Sequence, residues 1–184
     1  MSLAGRILLP FPSSCRTARL LRRENRFVVE VEVEAEVDVE DGGGRFRVHC
    51  NNTGSMSGLL RPGAEVLLSY SSNPKRRLPY TLELIRVEGV WVGVNTLTPN
   101  RLLRAAWEAR LLPWAQGLTV FRSEVRVGAS RLDAKLTPPD DQGVSLWVEA
   151  KNVTLAEGDR ALFPDAVTAR GLKHLEECVR LVEE

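Results

Sequence analysis

Asp133 and, sixteen residues further on, Glu149-Ala150-Lys151 are the side chains of this sequence best placed to do chemistry together. In Ser130-Arg131-Leu132-Asp133-Ala134-Lys135-Leu136, period-two alternation puts Leu132, Ala134 and Leu136 on one face of a strand and Arg131, Asp133 and Lys135 on the other. The same rule, applied from Leu146 to Val153, groups Leu146, Val148 and Ala150 against Trp147, Glu149, Lys151 and Val153. An acid on one strand and an acid-x-lysine on the next is an arrangement that holds Mg²⁺ (or Mn²⁺) for phosphodiester hydrolysis. Such an ion takes carboxylate oxygens, water and phosphate, and a nearby ammonium can orient the attacking water. The competing reading is a plain exposed strand face. Acid-x-lysine pairs arise by chance in a chain with 27% charged residues, and Asp133-Ala134-Lys135 is itself one.

The elements that would carry these residues divide the chain near residue 95. From Phe27 to Glu40, valines and one alanine alternate with acids, which predicts a long half-buried antiparallel strand with an acidic outer face. Asp41-Gly42-Gly43-Gly44 predicts the turn and Arg45–Cys50 the return. Further strands are expected at Glu65–Ser69, Tyr80–Val87 and Val90–Asn95. About five short strands in some ninety residues predict a small Greek-key barrel of the oligonucleotide-binding (OB) type, with an SH3-like barrel as the alternative. Near Thr98 the period changes. Thr98 and Pro99 open a helix whose Leu102, Leu103, Ala106, Trp107 and Leu111 recur at helical spacing until Pro113. Strands are predicted at Thr119–Val127, Arg131–Leu136 and Leu146–Leu155, with Pro138–Gly143 as a loop. A final helix from about Thr168 carries an apolar stripe of Leu172, Leu175, Val179 and Val182. It has no glycine stop and ends on Glu183-Glu184, against the helix dipole, so a chain cut within or just after this helix is expected.

With 184 residues, 43% hydrophobic, the chain is long enough for one large or two small domains. Its apolar run Ile7-Leu8-Leu9-Pro10-Phe11 is too short for a signal segment or a membrane span. Three widely spaced cysteines and two histidines speak against a disulfide scaffold or a zinc site, and a cytoplasmic setting is expected. The formal net charge is +1, and the two halves are each close to neutral, so a polyanion would have to meet local patches. Two qualify: the cluster Arg16, Arg19, Arg22, Arg23 and Arg26, and Lys75-Arg76-Arg77 on an expected loop tip after Ser71-Ser72-Asn73-Pro74. His49 reads as a structural residue at a strand end, with contact to a phosphate or base as the alternative.

Six segments resemble, in order, successive motifs of the sugar fermentation stimulation protein A family: Arg22–Phe27, His49–Met56, Asn73–Tyr80, Ser130–Asp133, Val148–Leu155 and Phe163–Leu175. The resemblance implies a mixed α+β chain. Residues 1–95 would form an OB-fold barrel that binds DNA, and residues 96–184 a restriction-endonuclease-like α/β domain lacking its last strand and helix. It also implies DNA binding linked to regulation of sugar (maltose) metabolism, and a metal-type site at Asp133, Glu149 and Lys151. Glu124 matches the family's preceding acid and is expected as a third metal ligand with Asp133 and Glu149. Arg22, Arg23, Arg26, Lys75, Arg76, Arg77, Arg170 and Lys173, with His174 beside them, are the expected phosphate contacts. Ala134 and Lys135 stand where larger apolar residues are usual, and Asn51 where proline is common. The functions to be separated are a DNA-binding regulator that uses a nuclease-like domain for grip, an active Mg²⁺-dependent endonuclease, and an interaction scaffold with a vestigial site. No membrane contact is expected, and a homodimer stays open.

Overall fold

A computed structural model of the chain describes residues 9–33, 44–128, 130–140, 142–163 and 169–183; in the last stretch the side chains described are Leu172 and those of residues 175–182. Six strands open the fold: β1 (Arg16–Asn25), β2 (Val28–Val33), β3 (Gly44–His49), β4 (Glu65–Tyr70), β5 (Tyr80–Val87) and β6 (Val90–Gly93). They run in the order β3-β2-β1-β4-β5-β6, and a parallel pairing of His49 with Thr81 joins β3 to β5. The five strands β1-β2-β3-β5-β4 therefore close on themselves as an OB-type barrel rather than an SH3-like one, with β6 extending β5 outside the ring. Leu20, Val29, Val31, Val48, Val66, Leu68, Leu82 and Ile85 fill it, all at 0–1% exposure. The alternation that predicted β2 holds, with Val29, Val31 and Val33 inside and Glu30 and Glu32 outside. The expected continuation to Glu40 and the turn at 41–43 lie outside the described residues.

β1 is a strand that the sequence pattern hid. Its inward positions begin with Ala18 and Leu20, but a bulge follows: Leu20 pairs with Val31 and Arg22 with Glu30, so Leu21 is the extra residue. The bulge reverses the parity, and Arg23, opposite the buried Val29, turns toward the end of the barrel. Its guanidinium there donates to the carbonyls of Asn25, Arg26, Asn52 and Gly54, at 2.7–3.1 Å. The other arginines meet the acidic stripe. Arg22 pairs with Glu30 (2.7 Å) and Glu24 (3.3 Å), Arg47 with Glu24 (3.0 Å), and Arg45 with Glu32 (3.1 Å).

The remaining elements are α1 (Thr98–Glu108), a 3-10 turn at Pro113–Ala115, β7 (Val120–Val127), β8 (Ser130–Thr137), β9 (Leu146–Val148), β10 (Leu155–Glu157), β11 (Arg160–Leu162) and α2 (Ala169–Glu183). β7, β8 and β9 form an antiparallel sheet in that order. α1 begins with Leu97 as its cap residue and Thr98 already helical, so no side chain caps it. Trp107 packs on Phe121 of β7, with ring centroids 5.2 Å apart, and its indole donates to Leu118 O at 2.9 Å. The single long strand expected at Leu146–Leu155 is two short ones: β9 stops at Val148, and Leu155 starts the β10–β11 hairpin. The chain falls into two compact units, and the second transition comes between Lys151 and Asn152. Leu97–Lys151 and α2 belong to one unit, whereas Pro10–Thr96 and the β10–β11 hairpin belong to the barrel unit. Asn152 accordingly donates to Gly93 O (3.3 Å).

The apolar stripe of α2 is there, but Leu172, Leu175, Val179 and Val182 are 52–87% exposed. Among the described residues no helix is long and apolar enough to cross a membrane. Cys15, Cys50 and Cys178 are free thiols.

α1 ends in a paired-bond motif: Leu111 N–H reaches Ala106 O and Arg110 N–H reaches Trp107 O, both at 2.9 Å. The left-handed position between these bonds, φ 55°, is held by Arg110 where glycine is usual. Its Cβ costs about 1 kcal/mol in that conformation, offset in part by the chain entropy that glycine would add. Arg110→Gly is therefore expected to raise the urea midpoint slightly, where the same change at exposed Arg101 of α1 lowers it. A lower midpoint for Arg110→Gly than for Arg101→Gly would refute the assignment.

Candidate functional site

β8 keeps the alternation read from its sequence: Leu132, Ala134 and Leu136 are fully buried, while Asp133 and Lys135 are half-buried on the opposite face. Asp133 is held at both oxygens. Asn100 of α1 donates its amide to Oδ1 at 2.8 Å, and the backbone N–H of Ala150 donates to Oδ2 at 2.7 Å. In the β8–β9 register Ala134 faces Val148, so Glu149 comes next, beside Asp133. An N–H given to a carboxylate is lost to the sheet ladder, and β9 ends here for that reason. Lys151 pairs with Glu149, a carboxylate with only 10% of its side chain exposed. The Lys135 ammonium lies over the ring of its cross-strand partner Trp147, 4.9 Å from the centroid, a cation–π contact at a position where a larger apolar residue is usual.

Glu124 is left out. The β7–β8 pairing passes from Ser123–Ala134 to Val125–Leu132, and Glu124 between them sits at φ 56°. Its half-exposed carboxylate pairs with Arg131 at 2.7 Å. Among the described residues no three His, Cys, Asp or Glu side chains gather closely enough to hold a metal, so the expected three-acid set reduces to the neighbours Asp133 and Glu149. These two still suit a hard cation. Each Asp133 oxygen accepts one hydrogen bond and retains a lone pair, and magnesium asks for one or two carboxylates with water completing its shell. Cys178 of α2 lies near enough to Glu149 and Lys151 to feel their charges; its thiol is pushed above the ordinary value, by burial first and by Glu149 second.

The expected phosphate contacts separate into groups. Arg22 and Arg23 are engaged within the barrel as described, and Arg26 is exposed. Lys75 and Arg77 are exposed, but Arg76 folds back and donates to Thr81 Oγ1 at 2.8 Å. The side chains of Arg170, Lys173 and His174 lie outside the described set. Sequence reasoning missed Asn100, Arg45 and Arg47. An asparagine in the first turn of a helix is a faint signal, and the two arginines were hidden in a strand read for its pattern alone.

A closed OB barrel, with an acid on one strand and an acid-x-lysine just past the end of the next in a second, mixed α/β unit, defines a two-part class of protein. Residues 21–94 match the model of the SfsA N-terminal OB domain, and residues 97–184 that of the sugar fermentation stimulation protein RE domain. The chain belongs to the SfsA family of sugar fermentation stimulation proteins. It is 53% identical to the sugar fermentation stimulation protein homolog of Syntrophobacter fumaroxidans over 95% of its own length and 62% of that protein's. It is 47% identical to the homolog of Maridesulfovibrio salexigens, covering 95% and 70%. Among solved structures, Pyrococcus furiosus SfsA in complex with Ca²⁺ matches with a TM-score of 0.79 and 28% identity, over 94% of this chain and 69% of that one.

His49, at the pair that closes the barrel, has its pKa lowered by burial first and by the neighbouring Arg76 second, against the raising effect of a hydrogen bond that its ring donates to the Phe27 backbone carbonyl. The unfolded chain then takes up this proton at a higher pH than the folded one. Stability is whole above the unfolded value of about 6.5 and falls as pH drops below it toward the folded value. Urea midpoints taken at pH 7.5 and pH 5.5 are expected to drop further for the wild type than for His49→Gln. Equal drops would mean that His49 does not contribute.

Proposed function

We propose that this chain is a cytoplasmic DNA-binding protein whose second unit holds a divalent cation at Asp133 and Glu149, and that it serves the regulation of sugar (maltose) metabolism. The observation that carries the reading is the Ala150 N–H···Asp133 bond, which brings the acid-x-lysine segment against the first acid. The Ca²⁺ in the solved Pyrococcus furiosus relative supports a divalent ion in this family. Mg²⁺ or Mn²⁺ is the ion proposed here, and DNA is the proposed partner.

Each residue then has a definite task. Asn100 and the Ala150 amide fix the rotation of the Asp133 carboxylate. Glu149 supplies a second hard oxygen, and a bound ion would neutralise phosphate charge and polarise a phosphoryl oxygen. Lys151 offsets the charge of Glu149 and stands ready to orient a water beside it. Exposed Lys75, Arg77 and Arg26 supply phosphate contacts from the barrel unit. The presence of Lys151 favours an endonuclease as the second reading, since grip alone needs no water-orienting ammonium.

Millimolar Mg²⁺ or Mn²⁺ is expected to raise the melting temperature, because an ion bound by the folded state alone stabilises it by RT ln(1 + [L]/Kd). Asp133→Asn should abolish that rise, and with it any nicking of supercoiled plasmid, while DNA affinity in low salt persists. Lys151→Ala should keep the rise and lose the nicking. A wild type that does not respond to either ion removes the metal site; one that responds but never nicks leaves the binding protein and ends the endonuclease.

A further inference from the structure

β3 and β5 meet at one residue pair, His49 and Thr81. Away from that pair they diverge, and a groove of about 510 Å³ opens between Gly44–Arg47 and the segment Arg77–Tyr80. That volume lies in the range of roughly 300–1,000 Å³ typical of small-ligand sites. The two sides of the groove differ in character. Among the described residues its inner wall is Phe46, Leu78, Pro79 and Tyr80, and its rim carries Arg45, Arg47 and Arg77 with Glu30.

The aromatic wall is built rather than incidental. Phe46 packs on Tyr80 at 5.3 Å between ring centroids, Tyr80 packs on Tyr70 at 5.2 Å, and the Arg16 guanidinium stands 4.9 Å from the Tyr80 centroid. Tyr80 is buried, so the partly exposed member that faces the groove is Phe46, held in place from behind. The three rim arginines are not equivalent. Arg45 and Arg47 share their charge with Glu32 and Glu24. Exposed Arg77 makes no hydrogen bond, ion pair or ring contact with the other described residues and is available to an anion.

From this we infer that the groove between β3 and β5 binds single-stranded DNA, with a base against Phe46 and the adjoining phosphate on Arg77. The inference rests on the DNA-binding reading and narrows it to one strand state. Phe46 packs on the barrel core and lines the groove between cations, and an aromatic ring so placed can stack only on a base whose own face is free; in a duplex both faces of every base are covered by its neighbours. The rim cations follow the backbone charge, which is the same for every sequence, so little base preference is expected.

The test uses the full 184-residue chain and fluorescence anisotropy with a labelled oligo-dT twelve-mer and a duplex of equal length, across a salt series. The wild type should prefer the single strand. Phe46→Leu should weaken oligo-dT binding about tenfold, as expected for loss of one base stack. Exposed Arg77→Ala, which removes no internal contact, should reduce the log-log salt slope on oligo-dT by about 0.7, the value for one phosphate on a single strand. Melting temperatures of both variants identify any loss due to unfolding. Unchanged oligo-dT binding and slope in both folded variants overturns the groove while leaving DNA binding elsewhere intact. Equal or tighter binding of the duplex by the wild type overturns the single-strand preference. Failure to bind either probe removes the groove and the DNA-binding reading together.

Discussion

The Asp133 carboxylate is the point on which the second unit turns. An acid on a strand normally points to solvent, keeps its rotamers and leaves the ladder untouched. Here it receives one donor from a helix and one from the backbone just past the end of the neighbouring strand β9. Two charge-assisted bonds to one carboxylate hold its plane, and they are stronger than neutral ones. The Ala150 N–H withdrawn from the ladder ends β9 after three residues, and what would have been more strand becomes the stretch that carries Glu149 and Lys151. The short strand and the site are therefore one event, seen once as secondary structure and once as chemistry.

In the barrel the governing term is charge neutralised across strands. β2 presents glutamates outward, and β1 and β3 present arginines beside them, so that Glu30, Arg22, Glu24 and Arg47 form a chain of ion pairs and Arg45 and Glu32 a separate pair. Each exposed pair is individually weak, but together they favour one strand register, because a one-residue slip would part the charges and turn the valines outward.

Much of this was legible in the residues. The valine-glutamate alternation of β2, the alternation of Ser130–Leu136 and the change of period near Thr98 each depend on burial geometry that composition records directly. The six ordered motifs carried the family. β1 was not legible, because only Ala18 and Leu20 mark its inner face before the bulge at Leu21 reverses the pattern. The pairing of Glu124 with Arg131 was not legible, because a left-handed φ in mid-strand leaves no trace in a glutamate. Nor could spacing show that Arg23 serves backbone carbonyls or that Asn100 reaches Asp133, since both depend on contacts 29 to 33 residues apart in sequence.

The chain's return to the barrel unit between Lys151 and Asn152 has a consequence for anyone dividing this protein by genetic means. The two family models meet near residue 96 and suggest a single cut. A fragment ending there would carry all the barrel strands yet lack the β10–β11 hairpin and the Asn152 contact to Gly93, while the complementary fragment would carry that hairpin as surplus. The separable modules of this protein are interleaved rather than sequential, so a faithful dissection must splice segments, and loss of activity in a simple truncation says little about which module held it.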